Sequence, residues 1–475
     1  MNSTNVLDLF KEITRIPRES GHEAPITAWL QQFAAARGLE CRTDDTGNVV
    51  IVKPASPGKE NVPAIALQSH QDMVCEKLAG FDFDFAKAPI PYEIRDGWMV
   101  ADHTTLGADD GIGIAASLAL LESDLPTGKV ECLFTISEET GMDGAQALQP
   151  GFLEAKTLIN LDSEDEGQLF VGCAGGLETY ARFGIEREPL RKGYKCLSLK
   201  IEGGIGGHSG DDINKERANC LQQLCRFLYT ELQYDYQLIS LEGGGKHNAI
   251  ARDANAVIAV PADEVNDMIE DLKAFGDVLK QEFAVSDPGL KVTAEPCSAP
   301  GKPLEEGLAA TLISTLTACP HGVVAMSMDI PGLVETSTNL ASVRFEEDKI
   351  TVCTSQRSSV RSELHAIAEK VEATFFLGGA EVEHTTEYPG WKPNMQSAIL
   401  AQTVAAYKRL FGVDPEVKAI HAGLECGLFL EKFPDLDMIS FGPTLRGVHA
   451  PGERLELASL DKFVALLEDV VVNFQ

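Results

Sequence analysis

Acidic and histidine residues follow short apolar runs at five points along this chain, and this pattern constrains its fold more than any other feature. The runs and the residues that follow them are Ala64–Leu67 with His70 and Asp72, Thr105–Gly107 with Asp109 and Asp110, Val130–Ile136 with Glu138 and Glu139, Leu158–Leu161 with Asp162, and Met438–Phe441 with His449. In open α/β sheets, ligands bind beyond the carboxyl ends of the strands. The sequence therefore predicts an α/β fold with imidazole and carboxylate side chains gathered at one edge of a sheet.

The first third of the chain alternates helical and strand patterns. Val6–Ile13 and Ile26–Arg37 have the periodicity of amphipathic helices, whereas Asn48–Val52 and Ala64–Gln68 are typical of strands. A small-residue helix follows Asp109 and is suited to close packing on a sheet. This βα alternation predicts a mostly parallel sheet with helices on both faces.

The pattern changes after about Arg182, where strands and long helices follow in an order typical of an α+β domain. This region has two similar-looking halves, although no repeat is convincing at the level of single residues. It ends at the Pro/Gly-rich segment 387–393, after which the pattern of the first third returns. We therefore predict a discontinuous first domain, residues 1–185 and 390–475, interrupted by an inserted α+β domain, residues 186–389.

Composition excludes several classes of partner. The chain has 475 residues, with 40 Lys and Arg against 72 Asp and Glu, for a net charge of -32. Such a charge argues against nucleic acid or an anionic membrane as partner, because both require a basic face. The start of the sequence has no signal-peptide pattern. The 11 Cys are scattered and contain no C-x-x-C pair, which fits a reducing cytoplasm.

Two of the residue pairs have the spacing of a metal ligand and its support. His70 and Asp72 are two residues apart at a strand end, so their side chains share a face; Asp72 is then placed to orient a metal-bound imidazole of His70. A solvated turn is about equally compatible with this pair. Asp109 lies in a Gly-flanked turn, where its carboxylate is suited to bridging two cations, whereas Asp110 is suited to capping the following helix.

The remaining residues complete the set but are weaker on their own. Glu138 and Glu139 are adjacent and face opposite ways in an extended segment, so one can bind metal while the other acts as a general base. A charged strand end is the simpler reading of that pair. Asp162 continues the inward alternation of its strand, and His449 is a single histidine in a turn. Together these nitrogen and oxygen ligands suit zinc, manganese or cobalt.

These motifs resemble those of the M20 family of metallopeptidases. The matching segments are Ser69–Asp72, Gly107–Asp110, Glu138–Gly141, Asp162 and Val448–Pro451. Within that family the chain is most similar to bacterial dipeptidases of the aminoacyl-histidine type, through Leu67–Cys75 and His421–Gly427. The resemblance covers essentially the whole chain.

The resemblance implies an enzyme with two divalent metal ions, most commonly zinc. It implies His70, Asp109 and Asp162 at one ion, and Asp109, Glu139 and His449 at the other. It makes Glu138 the general base and Asp72 the residue that orients His70. It also implies that the inserted domain is a lid or dimerisation domain whose His208 stabilises the oxyanion. Without the resemblance, His208 reads as a polar residue of a Gly-rich turn.

A dipeptidase must also recognise the free termini of its substrate. Arg357 is suited to binding the C-terminal carboxylate, with help from Asn248, and Glu425 is suited to facing the free amine. Surface or structural roles are the simpler readings of these three. The resemblance thus implies metal-dependent hydrolysis of small peptides, including Xaa-His dipeptides such as β-alanyl-histidine, in the cytoplasm.

Two other functions remain open from the sequence. One is an M20 amidohydrolase that acts on N-acyl amino acids with the same ligands. The other is a non-catalytic peptide-binding protein with a relict metal site, against which the complete ligand set and Glu138 argue. The family resemblance also implies a homodimer formed through the lid, unless the doubled lid supplies the required histidine within one chain.

Overall fold

The computed structural model describes all 475 residues, apart from the side chain of Gln233. The helices are α1 (Ser3–Ile13), α2 (Ala24–Arg37), α3 (Ala108–Glu122), α4 (Glu138–Gly141), α5 (Asp143–Ala147), α6 (Cys220–Thr230), α7 (Val265–Glu282), α8 (Glu306–Ala318), α9 (Arg361–Leu377), α10 (Ala398–Phe411), α11 (Glu425–Lys432) and α12 (Leu457–Val472), with single 3₁₀ turns at Ile213–Lys215 and Glu231–Gln233. Among the described residues, no helix combines the length and apolar character that crossing a membrane requires.

The strands belong to three sheets. They are β1 (Glu40–Thr43), β2 (Val49–Lys53), β3 (Ile65–His70), β4 (Glu93–Arg95), β5 (Trp98–Val100), β6 (Val130–Thr135), β7 (Thr157–Asn160), β8 (Gln168–Cys173), β9 (Gly175–Gly184), β10 (Tyr194–Glu202), β11 (Gln237–Gly244), β12 (Ala254–Pro261), β13 (Lys291–Cys297), β14 (Gly322–Met326), β15 (Val334–Phe345), β16 (Lys349–Ser358), β17 (Glu381–His384), β18 (Glu416–Ile420), β19 (Asp437–Ser440), β20 (Leu445–Arg446) and β21 (Arg454–Glu456). The chain divides into two compact units, Met1–Cys173 with Trp391–Ala419 and Leu424–Gln475, and Ala174–Gly390 with Ile420–Gly423.

The first unit is built on an eight-stranded sheet in the order β1-β2-β6-β3-β7-β19-β8-β18. Its central strands β6, β3, β7 and β19 are parallel to one another, whereas β1, β2 and β8 pair antiparallel at the flanks. A small antiparallel sheet, in the order β20-β21-β5-β4, completes the strands of this unit. Because these central strands are parallel, the carboxyl ends of β3, β6 and β7 lie at the same edge of the sheet. The candidate ligands lie at or just after these ends.

Helix α3 shows why small residues follow Asp109. Nearly all of its residues are buried, and it packs against α1 and against β3. A side chain at Gly111 would collide with Phe10 of α1, so glycine permits this close approach. The helical dihedrals begin only after Asp110, whose Oδ1 accepts a hydrogen bond from the Gly113 amide at 3.1 Å. The predicted capping role of Asp110 is therefore confirmed.

The second unit is one antiparallel sheet of nine strands made of two halves with the same topology. One half runs β13-β10-β12-β11 and the other runs β15-β16-β9-β17, with β14 added beside β15. In each half, the strand that comes first in the sequence lies between the last two: β10 lies between β12 and β13, and β9 lies between β16 and β17. The halves meet where Gly243 and Gly244 of β11 pair with Val343 and Ser342 of β15. The sequence predicted the two similar halves. It did not predict their nesting, in which β10 to β13 of one half come between β9 and β15 of the other half along the chain.

The boundary between the units differs from the predicted one near residue 185. Strand β9 falls within the predicted first domain, but along its whole length it pairs with β16 of the second unit. The segment Ile420–Gly423 also clusters with the second unit, although the surrounding chain belongs to the first. Both differences arise from pairing between segments far apart in sequence, which local patterns do not reveal.

Candidate metal centre

The candidate ligands of the first unit lie at one edge of its sheet, as the strand pattern predicted. His70 is the last residue of β3, and Glu138 begins α4 three residues after the end of β6. Asp162 follows β7, and Asp109 lies in the first turn of α3. Because β3, β6 and β7 are parallel neighbours, their carboxyl ends bring these residues together.

His70 is buried among three carboxylates. Its Nε2 lies 3.0 Å from Asp109 Oδ1 and 3.5 Å from Asp162 Oδ1, and its Nδ1 lies 3.3 Å from Asp72 Oδ1. Burial lowers the pKa of His70, but the carboxylates outweigh burial and hold this pKa well above its ordinary value. One ring nitrogen therefore faces the candidate ligands, while the other faces a carboxylate placed to fix the ring.

Asp72 is held from several sides. Its carboxylate accepts hydrogen bonds from Ser20 Oγ at 2.7 Å and from the amides of Glu138 and Glu139 at 3.1 and 3.2 Å. Burial opposes ionisation, yet the contacts with His70 and these donors lower the pKa of Asp72 to about 2. Asp72 therefore stays ionised, and it also fixes the backbone that carries the two glutamates.

Asp109 presents one oxygen to each of two histidines. Its Oδ1 faces His70, and its Oδ2 lies 3.1 Å from His449 Nε2. The same His449 nitrogen lies 2.8 Å from Glu139 Oε2. This is the arrangement that a carboxylate bridging two cations requires. The peptide bond between Asp109 and Asp110 is cis.

The donor set fits two divalent cations. Three groups offer ligand atoms within 4.8 Å of one another: His70 with Asp109 and Asp162, Asp109 with Glu139 and His449, and His70 with Glu138 and Glu139. The first two are the ligand sets that the sequence resemblance implied. Burial, followed by the charge of Asp109, raises the pKa of Asp162 well above its ordinary value. A cation would favour ionised carboxylates here, and nitrogen and oxygen donors are those that zinc, cobalt and manganese accept.

Glu138 is the carboxylate that these two sets leave free. Burial raises its pKa well above the ordinary value for glutamate, and the negative charges of Glu425 and Glu139 add to the rise. A carboxyl with a raised pKa accepts a proton more readily than an exposed one. Its position beside the candidate ligands therefore suits proton transfer.

Glu425 is buried and hydrogen-bonded to two residues of the first unit's sheet. It is fully buried and accepts hydrogen bonds from Gln68 Nε2 at 2.6 Å and from Thr135 Oγ1 at 2.9 Å. Gln68 in turn accepts one from Asn160 at 2.6 Å. Burial raises the pKa of Glu425 to about 7. These contacts tie Glu425 to the sheet of the first unit, and its contact with a substrate amine stays a prediction.

The three predicted residues of the inserted domain lie on adjoining segments of the second unit. His208 forms an isolated bridge with Ala249, and the Ser209 amide donates to the Asn248 carbonyl at 2.8 Å. Arg357 on β16 is nearly buried; it donates to Ser209 Oγ at 3.4 Å and to Tyr388 Oη at 2.9 Å. The structure thus brings His208, Asn248 and Arg357 into one neighbourhood.

His421 belongs to this neighbourhood, and sequence reasoning assigned it no role. Its Nε2 lies 2.7 Å from Ser337 Oγ, and its Nδ1 is buried without a hydrogen-bond partner among the described atoms. Burial, aided by the charge of Arg357, lowers the pKa of His421 to about 3, so the ring is neutral. His421 was within reach of sequence reasoning, because it opens the segment His421–Gly427 that carries part of the resemblance.

Comparisons with known proteins place this fold and site in a family. The chain matches the model of peptidase family M20/M25/M40 over residues 66–473, and it belongs to that family. It is 37% identical over 466 residues to the cytosol non-specific dipeptidase of Escherichia coli strain K12, a match that covers 98% of this chain and 96% of that protein. The family predicted from the sequence is confirmed.

Solved structures agree with this assignment. The crystal structure of aminoacylhistidine dipeptidase from Vibrio alginolyticus is similar with a TM-score of 0.92 and 37% identity, covering 99% of this chain and 96% of that one. Aminopeptidase PepT from Bacillus cereus shares the fold, with a TM-score of 0.58 at 17% identity and coverage of 99% of this chain and 98% of that one. The predicted α/β class, with a mostly parallel central sheet and an inserted α+β region, is confirmed.

Proposed function

We propose that this protein is a metal-dependent dipeptidase, with Xaa-His dipeptides among its substrates. The observation that carries the proposal is the position of Asp109, whose two carboxylate oxygens face His70 and His449, with the free carboxyl of Glu138 beside them. The relatives from Escherichia coli and Vibrio alginolyticus, both dipeptidases by name, support the substrate class. The name of the former and the scattered free thiols favour the cytoplasm.

We assign His70, Asp109 and Asp162 to one ion, and Asp109, Glu139 and His449 to the other, with zinc as the preferred metal and cobalt or manganese as substitutes. Two such ions, when bound, would make water a nucleophile at neutral pH and polarise the carbonyl of the scissile bond. Asp72 keeps the His70 ring in the orientation in which Nε2 faces the ligand cluster. Asp109 would thus serve both ions, and each ion would be completed by one histidine and one further carboxylate.

The proton is moved by Glu138 in this proposal. Its carboxylate accepts the proton of the attacking water and then donates it to the nitrogen of the leaving amine, so that the peptide C–N bond breaks as the amine is protonated. Burial raises the pKa of Glu138 above the ordinary value for glutamate, which favours its taking up the proton of the attacking water. Asp72 also contributes here, because its bonds to the Glu138 and Glu139 amides fix where the base stands.

The roles of the second unit are proposed on the family resemblance. His208 donates a hydrogen bond to the developing oxyanion, and Arg357 binds the C-terminal carboxylate of the substrate with Asn248 nearby. Two features of the unit agree with this: Arg357 is held by Ser209 and Tyr388, and Asn248 is joined to the same loop. A homodimer through this domain stays a prediction, for which sedimentation analysis is the direct measurement.

A substrate panel separates this proposal from its nearest rival. We expect free dipeptides, β-alanyl-histidine among them, to be hydrolysed in the presence of zinc, cobalt or manganese. N-acetyl amino acids should be poor substrates. Steady-state kcat/KM for each compound is the measurement. Efficient hydrolysis of N-acyl amino acids with inert dipeptides would instead establish the amidohydrolase, and metal binding without any turnover would establish the relict peptide-binding protein.

Arg357→Ala tests how the substrate terminus is recognised. The wild-type protein should prefer a free dipeptide over its C-terminal amide and should hardly cleave tetrapeptides. The substitution should remove the preference for the free carboxylate, a loss of at least about tenfold for a charged hydrogen-bonded pair. Arg361→Ala, at a largely exposed arginine nearby on α9, is the control and should keep the preference. An unchanged dipeptide-to-amide ratio in Arg357→Ala would assign carboxylate binding to another residue.

A further inference from the structure

A buried glutamate outside the ligand set holds the loop that leads into Asp109. Glu453 is 2% exposed, and its carboxylate accepts hydrogen bonds from three consecutive backbone amides. The amides of Leu106 and Gly107 donate to Oε2 at 2.7 and 3.0 Å, and the amide of Ala108 donates to Oε1 at 2.8 Å. Asp109 is the next residue. The position of Asp109 therefore depends on the buried Glu453 carboxylate, which holds the three residues before it through their backbone amides.

A buried arginine holds the same loop from its carbonyl side. Arg18 is also 2% exposed, and its Nη1 donates to the carbonyls of Gln71 and Asp72 at 3.2 and 2.6 Å. Its Nη2 donates to the carbonyl of Gly107. One guanidinium thus joins the segment that follows His70 to the loop that precedes Asp109.

Glu453 also connects His449 to this loop, because the two residues lie in one turn. Within that turn the Gly452 amide donates to the carbonyl of Ala101 at 2.8 Å. The Ala101 amide in turn donates to the carbonyl of Glu453 at 3.0 Å. The turn that presents His449 is therefore fastened at its far end to the chain leading to Asp109.

The Arg18 guanidinium is tightly packed against the backbone of Gly107 and Gly111. A Cβ added at Gly107 would lie 2.5 Å from Arg18 Nη2 and 2.7 Å from Met73 Sδ. One added at Gly111 would lie 2.6 Å from the same Arg18 nitrogen. Burial lowers the pKa of Arg18, while the negative charge of Glu453 opposes that change. Burying a charge is costly unless it is well hydrogen bonded, so both groups depend on the backbone partners described above.

We propose that Arg18 and Glu453 are positioning residues that set the metal affinity of the centre by fixing Asp109 relative to His70 and His449. This inference rests on the proposed function, in which those three residues bind the ions. The two charged groups bond only to backbone in the contacts described above, so they act through the placement of the ligands. Outer residues of this kind typically change metal affinity by about 10–100-fold when they are replaced.

Glu453→Gln is the first test. The amide keeps the size of the side chain but removes its charge, and its NH₂ group cannot accept from the loop amides. We expect zinc and cobalt to bind about 10–100-fold more weakly than to the wild type, measured by competition with a chromophoric chelator. The absorption spectrum of the cobalt-loaded protein should also change, because the ligand geometry shifts. Glu456→Gln, three residues further along, is the matched control and should bind as the wild type does.

Arg18→Lys is the second test, and it decides the question if Glu453→Gln does not fold. Lysine keeps the positive charge but cannot span both segments with one planar fork, so metal affinity should again fall about tenfold or more. Thermal unfolding of the metal-free variants separates the two explanations. A lower unfolding temperature with wild-type metal affinity and cobalt spectrum would overturn the inference and leave a purely structural role. A wild type that binds no metal would instead overturn the proposed function itself.

Discussion

Exhaustive chelation should abolish dipeptide hydrolysis, and added zinc, cobalt or manganese should restore it. The reason is the ligand set, in which His70 and His449 converge with three carboxylates at distances that suit shared cations. In the proposed mechanism the ions would lower the pKa of the water, so that Glu138 can remove its proton at neutral pH. The measurement is kcat/KM on one dipeptide before dialysis against chelator, after it, and after readdition of each metal.

Elemental analysis of the dialysed protein is the control for this result. A circular dichroism spectrum of the metal-free protein should show that the chain stays folded when the metal is removed. Full turnover by protein that is verified to be free of metal would end the proposed mechanism. Asp109→Asn should mimic chelation, because the neutral amide is a poor bridge between two cations.

Glu138→Gln should lower kcat by about 10²–10⁴-fold while the metal content stays at the wild-type level. Glutamine preserves the shape of the side chain but cannot take the proton from the attacking water. Glu138 is absent from the two ligand groups that contain Asp109, so its replacement should leave both ions in place. The measurements are kcat, KM and bound metal on the same preparation.

Glu139→Gln is the matched comparison, since it changes the adjacent residue in the same way. Its carboxylate lies 2.8 Å from His449 Nε2, so this variant should bind metal less tightly. If Glu138→Gln loses metal and Glu139→Gln keeps it, the roles of the two glutamates are reversed. The pair is informative because one substitution tests proton transfer and the other tests binding.

Much of the centre could be predicted from sequence because its ligands follow strands. His70, Glu138 and Asp162 each come within three residues of the end of a parallel strand, and the geometry of such sheets gathers these ends. The same reasoning identified Asp110 as a cap, which the structure confirms. Periodicity was sufficient wherever neighbours in sequence decide the local structure.

Sequence reasoning failed where distant segments decide the outcome. The bonds of Glu453 to Leu106–Ala108 join residues that no local pattern connects, and so do the bonds of Glu425 to Gln68 and Thr135. Asn219 is a further example, because its side chain caps α6 by accepting from the Gln222 amide and also donates to the distant Leu340 carbonyl at 2.7 Å. An isolated Glu or Asn has several plausible roles, and only the fold selects one.

The nesting of the two halves of the second unit has a consequence for the order in which the chain is completed on the ribosome. Strands β10 to β13 pair with one another within Tyr194–Cys297, so these pairings can form soon after that half is made, and only the short pairing of β11 with β15 has to wait. Strand β9 is made earlier but must wait for β16 and β17. During that interval its edges are open to pairing with other chains. His449 is synthesised later still, so nascent chains have only a partial set of metal ligands. Chaperones that shield β9 should therefore raise the yield of metal-loaded protein.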